Sequence, residues 1–151
     1  IADTLVRAHD SEPIDLVGVA AELIDRLETT YDVTVETEFP DEAWVDANAG
    51  VRSVVDNLLE NAIQHNDDSD PWIHVAITVG TDTVTLAVGD NGPGIPAEQQ
   101  ATLFDSQDAS GSEGGLALVS YLVSEYGGSV RVEDHEPRGA RFVTELPAAT
   151  G

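Results

Sequence analysis

Trp72-Ile-His-Val-Ala-Ile-Thr-Val79, the turn Gly80-Thr-Asp82, Thr83-Val-Thr-Leu-Ala-Val88 and then Gly89-Asp90-Asn-Gly92-Pro-Gly94-Ile95-Pro96 form the stretch that decides the fold. Its two apolar blocks are rich in β-branched residues and separated by three turn-forming residues, which predicts a β-hairpin over 72–79 and 83–88. Between Asp90 and Pro96, two glycines and two prolines punctuate the chain, so no helix or strand runs through. The hairpin therefore opens straight into a glycine-rich turn, and Asp90 stands where the apolar strand ends.

Upstream of the hairpin, 51–65 contains no glycine or proline and carries apolar residues at helical spacing, with Asp46 or Asn48 placed to cap it. A strand over 33–39 precedes it, ended by Pro40 and followed by a loop. Earlier still, Leu16, Val17, Val19, Ala20, Leu23, Ile24 and Leu27 recur at threes and fours, an amphipathic helix over 14–27 with Asp15 near its start. Downstream, a short helix is expected over 97–104. The small, polar stretch 105–115 has the composition of a mobile loop and is a lid candidate. A helix over 116–126 follows, stopped by Gly127-Gly128, and strands over 129–133 and 140–146 complete the pattern. With no repeat and no linker, hairpin strands beside about three main helices predict one α+β domain, a two-layer α/β sandwich on a mixed, mostly antiparallel sheet.

Charge and composition limit the function. The 151 residues carry 29 acidic and six basic side chains, a formal net charge of −23, and every basic residue is arginine. Such a surface repels nucleic acid phosphates and anionic lipid headgroups, so neither is an expected partner. At 41% hydrophobic content with clear periodicity, the acidity belongs to the surface of a folded domain and not to a solvating tail. Self-repulsion of this size is relieved in molar salt, where the screening length falls to about 3 Å, so a halophilic cytoplasm is the expected setting. The absence of cysteine rules out disulfides and thiolate metal sites, and the four histidines have no zinc spacing. No apolar run approaches the roughly 20 residues needed to cross a bilayer, so direct membrane insertion of this segment is not expected. The chain starts at Ile1 and contains no methionine, which leads us to expect an excised or processed segment of a longer protein.

Three places hold residues suited to chemistry. At about 100° per residue, Ser53, Asn57, Glu60, Asn61 and Gln64 share one side of the 51–65 helix, while Val54, Val55, Leu58, Leu59 and Ala62 share the other. Asn57 and Asn61 are then stacked neighbours. Each costs the helix about a few tenths of a kcal/mol with no local return. An amide oxygen suits Mg²⁺, which takes oxygen ligands and completes its shell with water and substrate phosphates; a solvated helix face has the same pattern. The glycine turn lets backbone amides approach a ligand that a β-carbon would exclude, or is an ordinary turn after a strand. Asp90 at its edge, if partly buried, needs a donor such as a ligand amine or a neighbouring amide. Gly111-Ser-Glu113-Gly-Gly115 before a helix suits a phosphate or a flexible linker, and Glu113 pointing inward would repel phosphate.

Taken in order, Asn57-Leu-Leu-Glu-Asn61-Ala-Ile-Gln-His65, Asp90-Asn-Gly92-Pro-Gly94-Ile95, Phe104 and Gly111-Ser112-Glu-Gly-Gly115-Leu116-Ala-Leu-Val119 resemble the N, G1, F and G2 boxes of histidine kinases, within the gyrase, Hsp90, histidine kinase and MutL ATPase superfamily. Gly139-Ala-Arg-Phe-Val-Thr-Glu-Leu-Pro147 is similar to the family's last strand, and the resemblance covers roughly 14–147. It implies the Bergerat ATP-binding fold and the cofactors ATP and Mg²⁺. The ATP-binding set it implies is Asn57, Asn61, Gln64, His65, Asp90, Gly92, Gly94, Ile95, Phe104, Gly111, Ser112, Gly115 and Leu116. In that set Asn61 is the metal ligand, Asp90 accepts the adenine amino group, Gly92 and Gly94 wall the base, and the lid from Phe104 to Gly115 covers the triphosphate. Residues 1–13 would then be the tail of a dimerisation and phosphoacceptor region, and 14–151 the ATPase domain of a cytoplasmic sensor kinase resembling those of haloarchaea.

The implied partners are a phosphoacceptor histidine on a helix domain of the same protein and a response regulator. His9, in Ala8-His9-Asp10-Ser11, does not match that acceptor, so the chain is expected to bind Mg-ATP without phosphorylating itself. Two positions depart from the family pattern. Gln64 stands where lysine or arginine is frequent, and Glu113 replaces the second glycine of the last box, both at the phosphate end. A domain of the same fold that has lost nucleotide and serves as a regulatory module, and a superfamily kinase acting on a protein hydroxyl, are the rival readings.

Overall fold

In the computed structural model, which describes residues 11–64, 66, 69–100, 114–135 and 138–149, strand β1 (Glu12–Asp15) pairs antiparallel with β3 (Trp44–Ala47). β3 occupies a stretch expected as loop, because four residues, Trp-Val-Asp-Ala, are too few to display an alternation. Asp15 ends β1 and caps helix α1 (Leu16–Thr30). Its Oδ1 accepts from the Val17 amide at 3.2 Å and from the Ala43 amide at 2.9 Å, tying the helix start to the approach of β3. The helix starts two residues later than expected, since Ile14 and Asp15 belong to β1, and buries Leu16, Ala20, Leu23, Ile24 and Leu27 as one stripe.

Helix α2 (Val51–Gln64) is led in by Asn48; Asp46, the other expected cap, lies within β3. Asn48 Oδ1 accepts from the Gly50 amide at 2.9 Å and from the Tyr126 hydroxyl at 2.7 Å. The buried side of α2 is Val51, Val54, Val55, Leu58, Leu59 and Ala62, the face expected from its periodicity.

The main sheet has five strands in the order β2-β4-β5-β7-β6, namely β2 (Thr34–Glu38), β4 (Trp72–Val79), β5 (Thr83–Asp90), β7 (Ala140–Pro147) and β6 (Ser129–Asp134). β2 runs parallel to β4 and the other neighbours are antiparallel. Alternation on β4 and β5 buries Ile73, Val75, Ile77, Val84, Leu86 and Val88, which form one core with the apolar faces of α1, α2 and α4 (Gly114–Glu125). Only the first turn of the helix expected over 97–104 is described, as α3 (Ala97–Gln100). At the end of α4, Gly127 adopts a φ of 83°, its amide bonds Ser124 O at 3.0 Å and the Gly128 amide bonds Val123 O at 2.9 Å, which satisfies carbonyls the helix leaves open. β5 extends two residues beyond the expected 88, because Gly89 pairs with both His74 and Arg141, and Asp90 pairs with Ile73.

Candidate functional site

Asp90 is the last residue of β5 and only 6% exposed, and among the described residues it is the one charged side chain that is buried. Its Oδ1 accepts from the Gly92 amide at 2.9 Å and from the Ala140 amide at 3.3 Å, so the turn after β5 and the start of β7 both hold the carboxylate. A buried carboxylate needs such donors. Gly94, with φ at 81°, is where the turn passes the β6–β7 loop: a β-carbon there would lie 3.2 Å from Gly139 O. Gly92 is buried, while Gly94 and Ile95 are half-buried, Ile95 packing against the core. The glycine turn thus forms a wall beside a buried acceptor.

The polar side of α2 provides the second part. Asn57 donates its Nδ2 to Ser53 O at 2.8 Å, one turn back along the helix. Asn61, one turn on, is half-buried. Gln64 is exposed and reaches Glu60 Oε1 at 3.5 Å. The Tyr31 hydroxyl also donates to Glu60 Oε1, at 3.0 Å, and this hydrogen bond followed by the Glu60 charge raises the tyrosine pKa above 10.0. Leu116, expected among the ligand contacts, is 2% exposed and its side chain belongs to the core. Gly115 lies in the first turn of α4. His65, Phe104, Gly111, Ser112 and Glu113, with most of the lid candidate, lie outside the described residues.

Several residues that hold the site were not singled out from the sequence. Asn91 accepts at Oδ1 from Asn66 Nδ2 at 2.8 Å and from the Trp72 amide at 3.0 Å, and donates to Asp70 O at 3.2 Å. His135 Nδ1 lies 2.8 Å from Asp90 O, and Arg138 Nη1 donates to Asn91 O at 2.9 Å. Gln100 donates to Ile95 O at 2.9 Å and to Asp134 Oδ1 at 3.2 Å. The only sequence signal among these was Asn91, inside the quoted Asp-Asn-Gly turn. The others act from strand ends and loops far along the chain. Among the described residues no group of three or more histidine or acidic side chains is placed to hold a metal ion.

Residues 46–150 match the family described as histidine kinase-, DNA gyrase B- and HSP90-like ATPase. The adaptive-response sensory kinase SasA of Synechococcus sp. is 32% identical over 152 residues, covering 91% of this chain and 39% of SasA. A mycobacterial sensor histidine kinase, MprB, superposes with a TM-score of 0.81 at 26% identity, over 93% of this chain and 99% of that one. The ATP binding domain of PrrB from Mycobacterium tuberculosis superposes with a TM-score of 0.80 at 26% identity, again over 93% and 99%. Against curated relatives that include SasA, the chain spans between 16% and 39% of their length. Among the described residues no helix is long and apolar enough to cross a membrane.

Proposed function

This chain belongs to the histidine kinase-, DNA gyrase B- and HSP90-like ATPase family, and on that premise we propose that it is the ATP-binding catalytic domain of a sensor histidine kinase. The observation that carries the reading is the buried Asp90 carboxylate beside the glycine turn. There it accepts the adenine amino group, with Gly92, Gly94 and Ile95 along the base. The amide oxygens of Asn61 and Asn57, one turn apart on α2, fit the oxygen preference of Mg²⁺. Bound there, the ion would neutralise charge on the phosphates, and Asn61 is its protein ligand. Phosphoryl transfer then depends on positioning and charge neutralisation. The residues proposed to cover the phosphates are Phe104, Gly111, Ser112 and Gly115, with Gln64 and His65 at the end of α2.

The acceptor histidine lies on a helix domain whose tail ends ahead of Glu12, where β1 of the ATPase domain begins, and not at residue 13, and the phosphoryl group passes on to a response regulator. The setting we propose is cytoplasmic and halophilic, in keeping with a net charge of −23. Calorimetric titration of ATP in about molar KCl with excess Mg²⁺ tests the reading. Saturable binding is expected, weakened about a hundredfold or more in both Asn61→Ala and Asp90→Ala. A folded wild-type chain that takes up no ATP would instead favour the regulatory module, for which Gln64, lacking the positive charge frequent at this position, is the supporting feature.

A further inference from the structure

We propose that His135, just beyond β6, is a positioning residue for the Asp90 carboxylate and, through it, for discrimination of a base by its amino group. The proposal rests on the reading of Asp90 as acceptor of the adenine amine. The Asp90 carbonyl can only accept, so the 2.8 Å contact requires the proton on His135 Nδ1. This bond fixes the peptide plane after Asp90, and hence the direction in which the Gly92 amide meets Oδ1.

The imidazole is itself confined by two neighbours. Trp72 stacks on it with centroids 5.6 Å apart and planes 8° from parallel, and the Trp72 amide is in turn bonded to Asn91 at 3.0 Å. Gly89 also lies close against the ring: a β-carbon there would meet three ring atoms at 3.0, 3.1 and 3.2 Å. The ring is therefore seated against both Trp72 and the bare backbone of β5, with Nδ1 on the carbonyl of the residue bearing the acceptor. A carboxylate that reads an amine by a hydrogen bond tolerates only a few tenths of an ångström, about the span of useful bond lengths.

The test measures dissociation constants for ATP and for purine riboside triphosphate, the same nucleotide without the 6-amino group, with excess Mg²⁺ in about molar KCl. His135→Phe keeps a ring but has no donor. It should weaken ATP about tenfold while leaving the analogue within about twofold. His135→Asn restores a donor near the Nδ1 position and should bring ATP back to within about threefold of wild type. Gly89→Ala, which displaces the ring and leaves its chemistry intact, should reproduce the selective loss. Equal weakening of both nucleotides, or of neither, overturns the proposal while Asp90→Ala still erases the preference for ATP. If Asp90→Ala leaves that preference unchanged, the assignment of Asp90 fails and the proposal with it.

Discussion

The Tyr126 hydroxyl shows how much one polar group does at the end of a helix. It donates to Asn48 Oδ1 at 2.7 Å, and the same oxygen takes the Gly50 amide, so a single acceptor joins the end of α4 to the start of α2. Burial raises its pKa above 10.0, which means the fold favours the protonated phenol. Its contribution is therefore complete below about pH 10 and is lost as pH rises through the higher folded-state value. Tyr126→Phe should cost about 1 kcal/mol in urea melts near pH 7 and should remove part of the alkaline loss of stability. Equal slopes for both proteins above pH 10 would refute this. At this scale the sequence was legible where one residue's position carries its own argument. Asn57 and Asn61 stand out because asparagine is a poor choice inside a helix, and Asp90 because a carboxylate ends an apolar run. His135 was not legible, since its partner lies 45 residues away and nothing local marks it.

Among the elements, α1 depends most on a single side chain. Asp15 satisfies the amides of Val17 and Ala43 with one oxygen, serving at once as helix cap and as a clasp on the second sheet. Asp15→Ala should destabilise the domain by about 1–2 kcal/mol in denaturant melts, at the upper end for a cap because a second amide loses its acceptor. A loss no greater than that from an exposed cap would mean that water replaces the Ala43 contact. The three main helices and the hairpin were readable because each carries its full periodicity within its own span. β1 and β3 were not, being four residues each and defined by pairing at a distance, with one another across an intervening helix and strand and, at Val45, with Ala148. The extension of β5 to Asp90 was hidden for a related reason: Gly89 reads locally as a strand breaker, yet it is paired on both sides.

For the whole molecule, the net charge of −23 is the dominant fact, and no single contact expresses it. Ion pairs such as Arg52–Glu22 at 2.8 Å, which is exposed, and Arg141–Glu133 at 2.8 Å, which is half-buried, engage few of the 29 acids. Going from about 0.1 M to about 1 M salt shortens the screening length from about 10 Å to about 3 Å, which relieves long-range repulsion more than it weakens these pairs. The melting temperature should therefore rise with KCl, by about 5 °C or more over that range. A flat or falling curve would show that the surface charge is well accommodated without salt. That the fold class was legible while the charge tolerance needs an experiment follows from scale: patterning is local, whereas self-repulsion sums over the whole surface.

The contact from Ala140 to Asp90 spans 50 residues and sets an order of events during synthesis. A ribosome delivers the carboxylate, the glycine turn and all of α2 long before it delivers β7, whose place is between β5 and β6. Until then the growing chain holds an acid at the end of a strand that is paired on the β4 side alone, and Ala140, an amide donor to its Oδ1, has yet to be made. The site is in that sense completed only when β7 arrives, even though α2 and the glycine turn precede it in the chain.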